Sequence, residues 1–370
     1  MLSGHLSPEL IQFFILYGVT GATAFIAAVY LLLRRGNAFT TDVNPPVRLR
    51  RWAASFLAVS AFAHAWWYLF YILSGQPQSA DELMHSAWYV AIDVLDCVTL
   101  LTTLAGTLLS MLQDRRRRIF PVIMAMVPFV AIGVAFAVWP GEWLMQVGVV
   151  YLIVICVAFM LYMVRAVRQY GRWLRDNFAD LERKEVGLSL VVAFASLLLF
   201  AVYGFIDSGI GPFIFLHLLE LVFFAFLVWR VETLPQLDIP PQTEQAPVVT
   251  SCVNISAVEK LLAERCVAQR LYLQQDLTLV QLAKALDTNR TYLSQYFASQ
   301  GTTYNAYIND LRIHHFVTLC REVFSAGQSL TAQQLALESG YRSYSTFATA
   351  FKQRMGVSVT SWMSNLEAEK

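Results

Sequence analysis

Charge is scarce in this chain, and long apolar runs take its place. Only 14% of the 370 residues are charged and 57% are hydrophobic, whereas soluble domains carry about 25% charged residues. The charge is missing from whole segments rather than thinned evenly, which is the pattern of a membrane protein. An ordinary soluble protein is therefore excluded.

Cysteine is also too sparse for a disulfide framework. Five cysteines stand at irregular positions, an odd number that is typical of thiols in a reducing cytoplasm, and ordinary burial explains them. The first nine residues contain no Lys or Arg. The first apolar run is too long for the core of a signal peptide, so it indicates a true membrane span.

Seven apolar segments precede a change of character near Glu232. Each has about the 20 residues that a helix needs to cross a hydrocarbon layer of about 30 Å. The sequence thus predicts an all-α fold with a seven-helix transmembrane domain in residues 1–231. The predicted spans are Leu10–Leu33, Trp52–Leu73, Ala87–Leu112, Ile119–Trp139, Trp143–Val167, Val186–Ile206 and Pro212–Val231.

Lys and Arg are absent from every second connection between these spans. They lie between spans one and two, three and four, and five and six, including the run Arg115–Arg118. Short basic loops stay in the cytoplasm, so we expect an outside amino terminus and a cytoplasmic carboxyl terminus in a bacterial inner membrane. Topology and anionic lipid headgroups explain the arginine run better than a nucleic-acid patch does.

The remaining chain divides into a linker and a soluble domain. Residues 232–255 hold four prolines without apolar periodicity, which indicates an extended tether. In residues 256–370 the pattern Leu-Thr-x-x-Gln-Leu-Ala occurs twice, at Leu277–Ala283 and at Leu330–Ala336. Each copy predicts a helix that begins with a capping box.

A turn and a second helix follow each copy. The turns fall at Asp287-Thr288 and at Gly340, and the second helices are predicted over Asn289–Ser299 and Ser343–Met355. Asp and Gly both tolerate the left-handed backbone that such turns need. An amphipathic helix over Tyr304–Phe324 joins the two units. Two helix-turn-helix units in tandem are therefore expected.

These residues resemble the bacterial AraC/XylS-type DNA-binding domain. The resemblance covers Leu271 to Trp362 and rests on LTLVQLAKALDTNRTYLSQYF, YNAYINDLRI and LTAQQLALESGYRSYSTFATAFKQRMGVS. It implies a sequence-specific transcription regulator whose second helices enter consecutive major grooves. Asp287, Tyr341 and Val359 depart from the usual glycine, phenylalanine and proline of that family.

The candidate DNA contacts lie on the second helices and in the turns before them. Arginine and lysine suit phosphates and guanine, and the short polar side chains suit base edges. The candidates are Asn289, Arg290, Thr291, Ser294, Gln295, Arg342, Ser343, Ser345, Thr349 and Lys352.

The soluble part as a whole is not basic. After Arg230, 11 Lys and Arg stand against 12 Asp and Glu. Phosphate contacts supply most non-specific affinity for DNA, so we expect a single copy to bind weakly and a homodimer to bind paired half-sites more tightly. RNA polymerase is a further candidate partner.

Five ionisable residues fall inside the predicted spans, where they are costly and usually functional. They are His64, Asp93, Asp96, His217 and Glu220, and all are expected about 9–14 Å below the outer boundary. We interpret them as a pocket that detects a small cation or protons. Two other interpretations stay open, namely polar contacts between helices and a metal site for intramembrane hydrolysis.

Taken together, these features predict a membrane-bound transcription regulator that is not an enzyme and has no resident cofactor. The alternatives are an intramembrane metal-dependent hydrolase or a transporter, each with an appended docking domain, and a constitutive membrane-anchored regulator that has no ligand. No inverted repeat supports transport.

Overall fold

The structure is a computed structural model that describes residues 8–34, 37–39, 44–73, 87–113, 117–181, 184–204, 210–237, 255–326 and 331–368. Within these ranges the secondary structure is helical, apart from one isolated antiparallel β-bridge between Phe178 and Thr278. The predicted all-α class is confirmed. Most of the predicted linker 232–255 lies outside the described residues.

The chain forms two compact units. The first comprises residues 1–168 and 186–238, and the second comprises residues 169–185 and 239–370. The second unit therefore combines the soluble carboxyl-terminal residues with a short segment from between the fifth and sixth predicted spans. We call this segment, residues 169–185, the docking segment.

Among the described residues, seven helices begin before residue 234, and their bounds follow the predicted spans closely. One of them, α5, continues into the second unit. The helices are α1 (Pro8–Leu33), α2 (Val47–Leu73), α3 (Ala87–Met111), α4 (Phe120–Val138), α5 (Glu142–Asn177), α6 (Gly187–Gly204) and α7 (Ile210–Thr233).

Six of these helices are long and apolar enough to cross a membrane, judged by length and composition. They are α1 to α5 and α7. In α6 the apolar stretch over described residues is Gly187–Ser196, which is shorter than a span. Six predicted spans are thus matched, whereas the count of seven is not confirmed.

Helix α1 packs against α2 and α7, and α2 also packs against α3. Small residues permit close approach at these contacts. A Cβ atom on Gly106 would lie 2.3 Å from the Trp52 ring, and one on Gly21 would lie 3.0 Å from the Cβ atom of His64. Gly21 therefore lets the His64 side chain lie directly against α1.

The described residues of the second unit form seven further helices and two short helical turns. The helices are α8 (Ile255–Leu261), α9 (Leu279–Ala285), α10 (Arg290–Ser299), α11 (Tyr304–Ser325), α12 (Ala332–Glu338), α13 (Tyr344–Met355) and α14 (Val359–Ala368). A π-helical turn over Leu262–Val267 extends α8, and a 3₁₀ turn follows at Leu271–Leu273.

The second unit has two apolar cores. The first surrounds Leu282, Leu293 and Phe297, and the second surrounds Phe316, Phe347 and Phe351. Helix α11 contributes buried residues to both cores. Each core thus belongs to one helix-turn-helix unit, and α11 joins them as the sequence predicted.

Both predicted capping boxes are present. The hydroxyl of Thr278 accepts a hydrogen bond from the backbone of Gln281, and Thr331 does the same for Gln334. Each glutamine side chain in turn accepts from the backbone amide of its threonine. These reciprocal bonds satisfy amides that the first turn of a helix leaves unpaired, so both helices begin where predicted.

The turns also have the expected backbone conformations. Asp287 has φ 53° and Gly340 has φ 86°, which places both in the left-handed region that Asp tolerates and glycine favours. Gly356, with φ 75°, ends α13. The local sequence therefore determines both helix-turn-helix units.

Candidate functional site: a DNA-binding unit and a polar cluster between apolar helices

Helix α10 offers one polar face to solvent. Asn289 caps the helix by accepting a hydrogen bond from the amide of Tyr292 at 2.8 Å. Leu293 and Phe297 are buried on the opposite side, while Thr291, Ser294 and Gln295 are exposed. The hydroxyl and amide groups on this face are of the kinds that hydrogen-bond to base edges in a major groove.

Helix α13 repeats this arrangement. Ser343 caps it by accepting from the amide of Thr346 at 3.3 Å, and its first-turn residue Ser345 is exposed, as are Thr349 and Lys352 further along. Phe347 and Phe351 are buried. The side chains of Asn289 and Ser343 therefore cap the two helices, and Ser345, Thr349 and Lys352 remain exposed to solvent.

The two candidate arginines have acidic neighbours in this unit. Arg342 lies 3.6 Å from the carboxylate of Asp276. Partial burial lowers the pKa of the Arg290 guanidinium, and the carboxylate of Asp176, in the docking segment, counteracts that shift. Both arginines are thus held near carboxylates at positions where DNA phosphates are expected.

The docking segment is part of the first core of this unit. Ala179 is 1% exposed within that core. The amide of Asn305, at the start of α11, donates to the carbonyl oxygens of Phe178 at 3.1 Å and of Ala179 at 2.6 Å. Phe178 also forms the β-bridge with Thr278, the residue that caps α9.

Contacts within the docking segment itself hold it in a turn. The Tyr170 hydroxyl donates to the carbonyl of Lys184 at 3.1 Å, and the Lys184 ammonium donates to the carbonyl of Asp180 at 2.7 Å. The Trp173 ring packs edge-on against Phe178. The sequence predicts only a basic loop for this stretch. Its aromatic residues, Trp173 and Phe178, are the signal in the sequence that could have indicated a packed turn.

The described cysteines of this unit are buried thiols. Burial raises the pKa of Cys266 to about 11 and that of Cys320 to about 12, so both stay protonated and unreactive at neutral pH. The interpretation of ordinary burial is confirmed for these two residues.

A separate polar cluster lies in the first unit, between α2 and α7. The Nδ1 atom of His217 is 2.9 Å from Oε2 of Glu220, and the Nε2 atom of His64 is 3.5 Å from the same oxygen. These side chains are 11% (His64), 13% (His217) and 19% (Glu220) exposed. Three of the five predicted residues therefore meet, and we call them the His–His–Glu cluster.

The other two predicted residues are not among these three donors. Asp96 accepts a hydrogen bond from the indole of Trp67 and is near enough to His64 to interact with its charge. Asp93 is exposed. Periodicity places Asp93 and Asp96 on one face of a helix, but it does not show which neighbour that face meets.

Tyr17 completes the surroundings of the cluster and was not foreseen. Its hydroxyl donates to the backbone carbonyl of His64 at 2.7 Å, and its ring lies 4.7 Å from the His64 ring and 5.2 Å from the His217 ring. A groove of about 860 Å³ between α1 and α2 runs past Tyr17, Gly21 and His64. Of the three cluster residues, His64 lines this groove.

Residues 282–365 match a family model described as a helix-turn-helix domain. This span includes α10, α11, α12 and α13, and it supports the AraC-type resemblance for these residues. No curated protein and no solved structure gave a match to the chain. Residues 282–365 thus support a helix-turn-helix domain, which suggests a DNA-binding regulator, and the apolar helices are compatible with membrane association.

Proposed function

We propose that the chain is a membrane-bound, sequence-specific transcription regulator that senses an extracytoplasmic or membrane-borne signal. The observation that carries the proposal is the pair of capped helix-turn-helix units, each with an exposed polar face, in a chain with six helices long enough to cross a membrane. The cytoplasmic, inner-membrane placement follows from the basic loops. The His–His–Glu cluster and its groove are the proposed sensing site.

DNA binding in this proposal uses both units at once. Arg290 begins α10 and Arg342 lies two residues before α13. Both would contact phosphates or guanine, as would Lys352 along α13. Thr291, Ser294, Gln295, Ser345 and Thr349 would contact base edges. Because the carboxyl-terminal part has no net positive charge, we propose that a homodimer supplies the affinity that one copy lacks.

Replacing Arg290 or Arg342 with alanine is expected to weaken specific DNA binding by about 1–3 kcal/mol. In the middle of that range the dissociation constant rises more than about tenfold. The dependence of the logarithm of affinity on the logarithm of salt concentration should also become less steep. The measurement uses the full-length protein in lipid nanodiscs. Genomic fragments are selected at several salt concentrations, and the enriched motif is then titrated with each variant.

Arg321→Ala is the matched control, because Arg321 is an exposed arginine on α11 outside both second helices. It should leave the motif and its affinity nearly unchanged. If no motif is enriched, or if the three arginine variants bind alike, the regulator proposal fails. Attention would then move to the alternatives of a hydrolase or a transporter.

A further inference from the structure

We propose that His64, His217 and Glu220 form a binding site for a Zn²⁺-like divalent metal ion. The proposal names the ligand of the sensing site and so rests on the proposed function for its physiological role, though the metal site itself does not depend on DNA binding. Two imidazoles and one carboxylate are a donor set that zinc accepts, with a fourth position left for water.

The spacing of the donor atoms suits such an ion. One ligand atom from each of the three residues lies within 4.8 Å of the other two. Ligands at about 2.1 Å from a tetrahedral ion are about 3.4 Å apart, so side-chain adjustments of an ångström close the site. Two of the donors, His217 and Glu220, stand three residues apart on α7 and share one face.

The tautomer of His64 supplies the second argument. Its Nδ1 atom lies 2.8 Å from the backbone carbonyl of Ser60, which can only accept, so a neutral ring carries its proton on Nδ1. The Nε2 atom is then an acceptor that faces the Glu220 carboxylate, and it is buried without a hydrogen-bond partner among the described residues. Two acceptors facing each other in an apolar setting require a cation between them.

A carbonyl that orients a metal-binding histidine through its other ring nitrogen is a common feature of metal sites. Ser60 takes that role here, and the Tyr17 hydroxyl fixes the backbone carbonyl of His64 itself. His64 also lines the groove between α1 and α2. Asp96 accepts a hydrogen bond from the Trp67 indole and is not one of the three donors, so the proposal is confined to a binding site.

The test measures zinc bound by full-length protein in nanodiscs after stripping with a chelator. We expect about one tightly bound zinc per chain, and a dissociation constant at least tenfold weaker in His64→Ala and in Glu220→Gln, which preserves side-chain shape. Tyr17→Phe keeps all three donors and should retain the zinc. His314→Ala removes an exposed histidine of the second unit and is the control for binding elsewhere.

Wild-type protein that binds no zinc, or zinc binding that survives both His64→Ala and Glu220→Gln, would overturn the metal site. The first outcome would leave a proton as the cation between His64 and Glu220. Because metal content is measured without DNA, failure of the metal site and failure of the regulator proposal are distinguishable. A zinc-induced change in motif affinity would connect the two.

The docking segment leads to an independent inference about the DNA-binding unit: we infer that residues 169–185 are an autoinhibitory element. Its contacts with the rest of the unit include the Ala179 side chain in the first core, two hydrogen bonds from Asn305 and one β-bridge. The aromatic contact between Phe178 and Trp173 lies within the segment.

The docking segment has no net charge, but it brings one carboxylate to a candidate DNA contact. The Asp176 carboxylate lies near enough to Arg290, the first residue of α10, to favour the charged guanidinium. It would compete there with a DNA phosphate. Asp176 is also part of α5, which runs without a break from Glu142 to Asn177.

Asp176→Asn is expected to tighten motif binding about three- to tenfold at low salt, with the gain disappearing at high salt. Glu322→Gln removes one negative charge at an exposed site on α11 and controls for net charge. Amide hydrogen exchange of residues 178–181, which lie beyond the end of α5, should rise when the motif is added. This inference rests on the proposed function, but protection of these amides without DNA tests the docking alone.

Two results would overturn autoinhibition: equal affinities for Asp176→Asn and Glu322→Gln, or amides of residues 178–181 that exchange freely without DNA. If the amides are protected but no DNA sequence is selected by any variant, the regulator proposal fails and the inhibitory role fails with it, while docking remains as a structural contact.

Discussion

Replacing Arg312 with alanine is expected to lower the free energy of unfolding of the DNA-binding unit by about 3–5 kcal/mol. Arg312 is 1% exposed. Its Nε atom donates to the carbonyl of Tyr272 at 2.7 Å, and an Nη atom donates to the carbonyl of Gln274 at 2.7 Å. The variant would leave both carbonyls without these donors and would open a cavity, and each of these changes is costly.

The position of Arg312 enlarges the effect. Its guanidinium lies 5.4 Å from the centre of the Tyr341 ring, which belongs to the second core, whereas Tyr272 belongs to the first. The side chain therefore holds the two helix-turn-helix units together. Arg312→Lys should be intermediate, because an ammonium keeps the charge but not the planar fork of donors.

Hydrogen exchange of peptides within residues 255–368, followed in urea, measures this loss in the full-length protein. Arg321→Ala, on the same helix but exposed, should change stability by less than about 0.5 kcal/mol. Equal losses in Arg312→Ala and Arg321→Ala would show that the joint between the two units does not depend on Arg312.

Replacing Gly340 with alanine is expected to cost about 3 kcal/mol or more. Its φ of 86° already disfavours any side chain. An added Cβ atom would also lie 2.8 Å from both the Cα and the carbonyl oxygen of Leu273. Backbone atoms cannot turn aside as a flexible side chain can, so the 3₁₀ turn or the second unit must move.

Gly356→Ala is the matched control for this prediction. Gly356 has φ 75° but no heavy atom within 4 Å of an added Cβ atom, so only the backbone cost of about 1–2 kcal/mol applies. Urea unfolding followed by the same exchange measurement compares the two variants. Similar losses would mean that the contact between Gly340 and Leu273 is not close in solution.

Both predictions concern the same joint, and the joint has a consequence for DNA recognition. Arg312 and Gly340 fix how the second helix-turn-helix unit sits on the first. The distance between α10 and α13 sets the spacing of the base pairs that they can read together. Variants that loosen the joint without unfolding either core should therefore tolerate a wider range of half-site spacings.

The features that depend on neighbouring residues in the chain could be predicted from the sequence. Thr278 with Gln281 and Thr331 with Gln334 determine where two helices begin, and Gly340 and Asp287 determine the turns. Each of these effects acts over four residues or fewer. The apolar segments are similarly local, because length and composition alone decide whether a helix can span a membrane.

The features that depend on contacts between distant residues could not be predicted in this way. His64 and Glu220 are 156 positions apart, and helical periodicity does not state which faces meet. The same limit explains why Asp93 and Asp96 were grouped with a cluster that does not include them. A small side chain such as Ala179 gives no sequence signal that it belongs to a core built from residues beyond 255.

The docking segment also bears on how this molecule could be controlled by proteolysis. A cut between residues 238 and 254 would separate the carboxyl-terminal helices from residues 169–185, which stay attached to α5 and α6. The released fragment would lack Ala179 from its first core, and the Asn305 amide would lose both of its acceptors. Proteolysis would therefore remove the proposed inhibitory segment and, at the same time, the contacts that the segment makes with the first core.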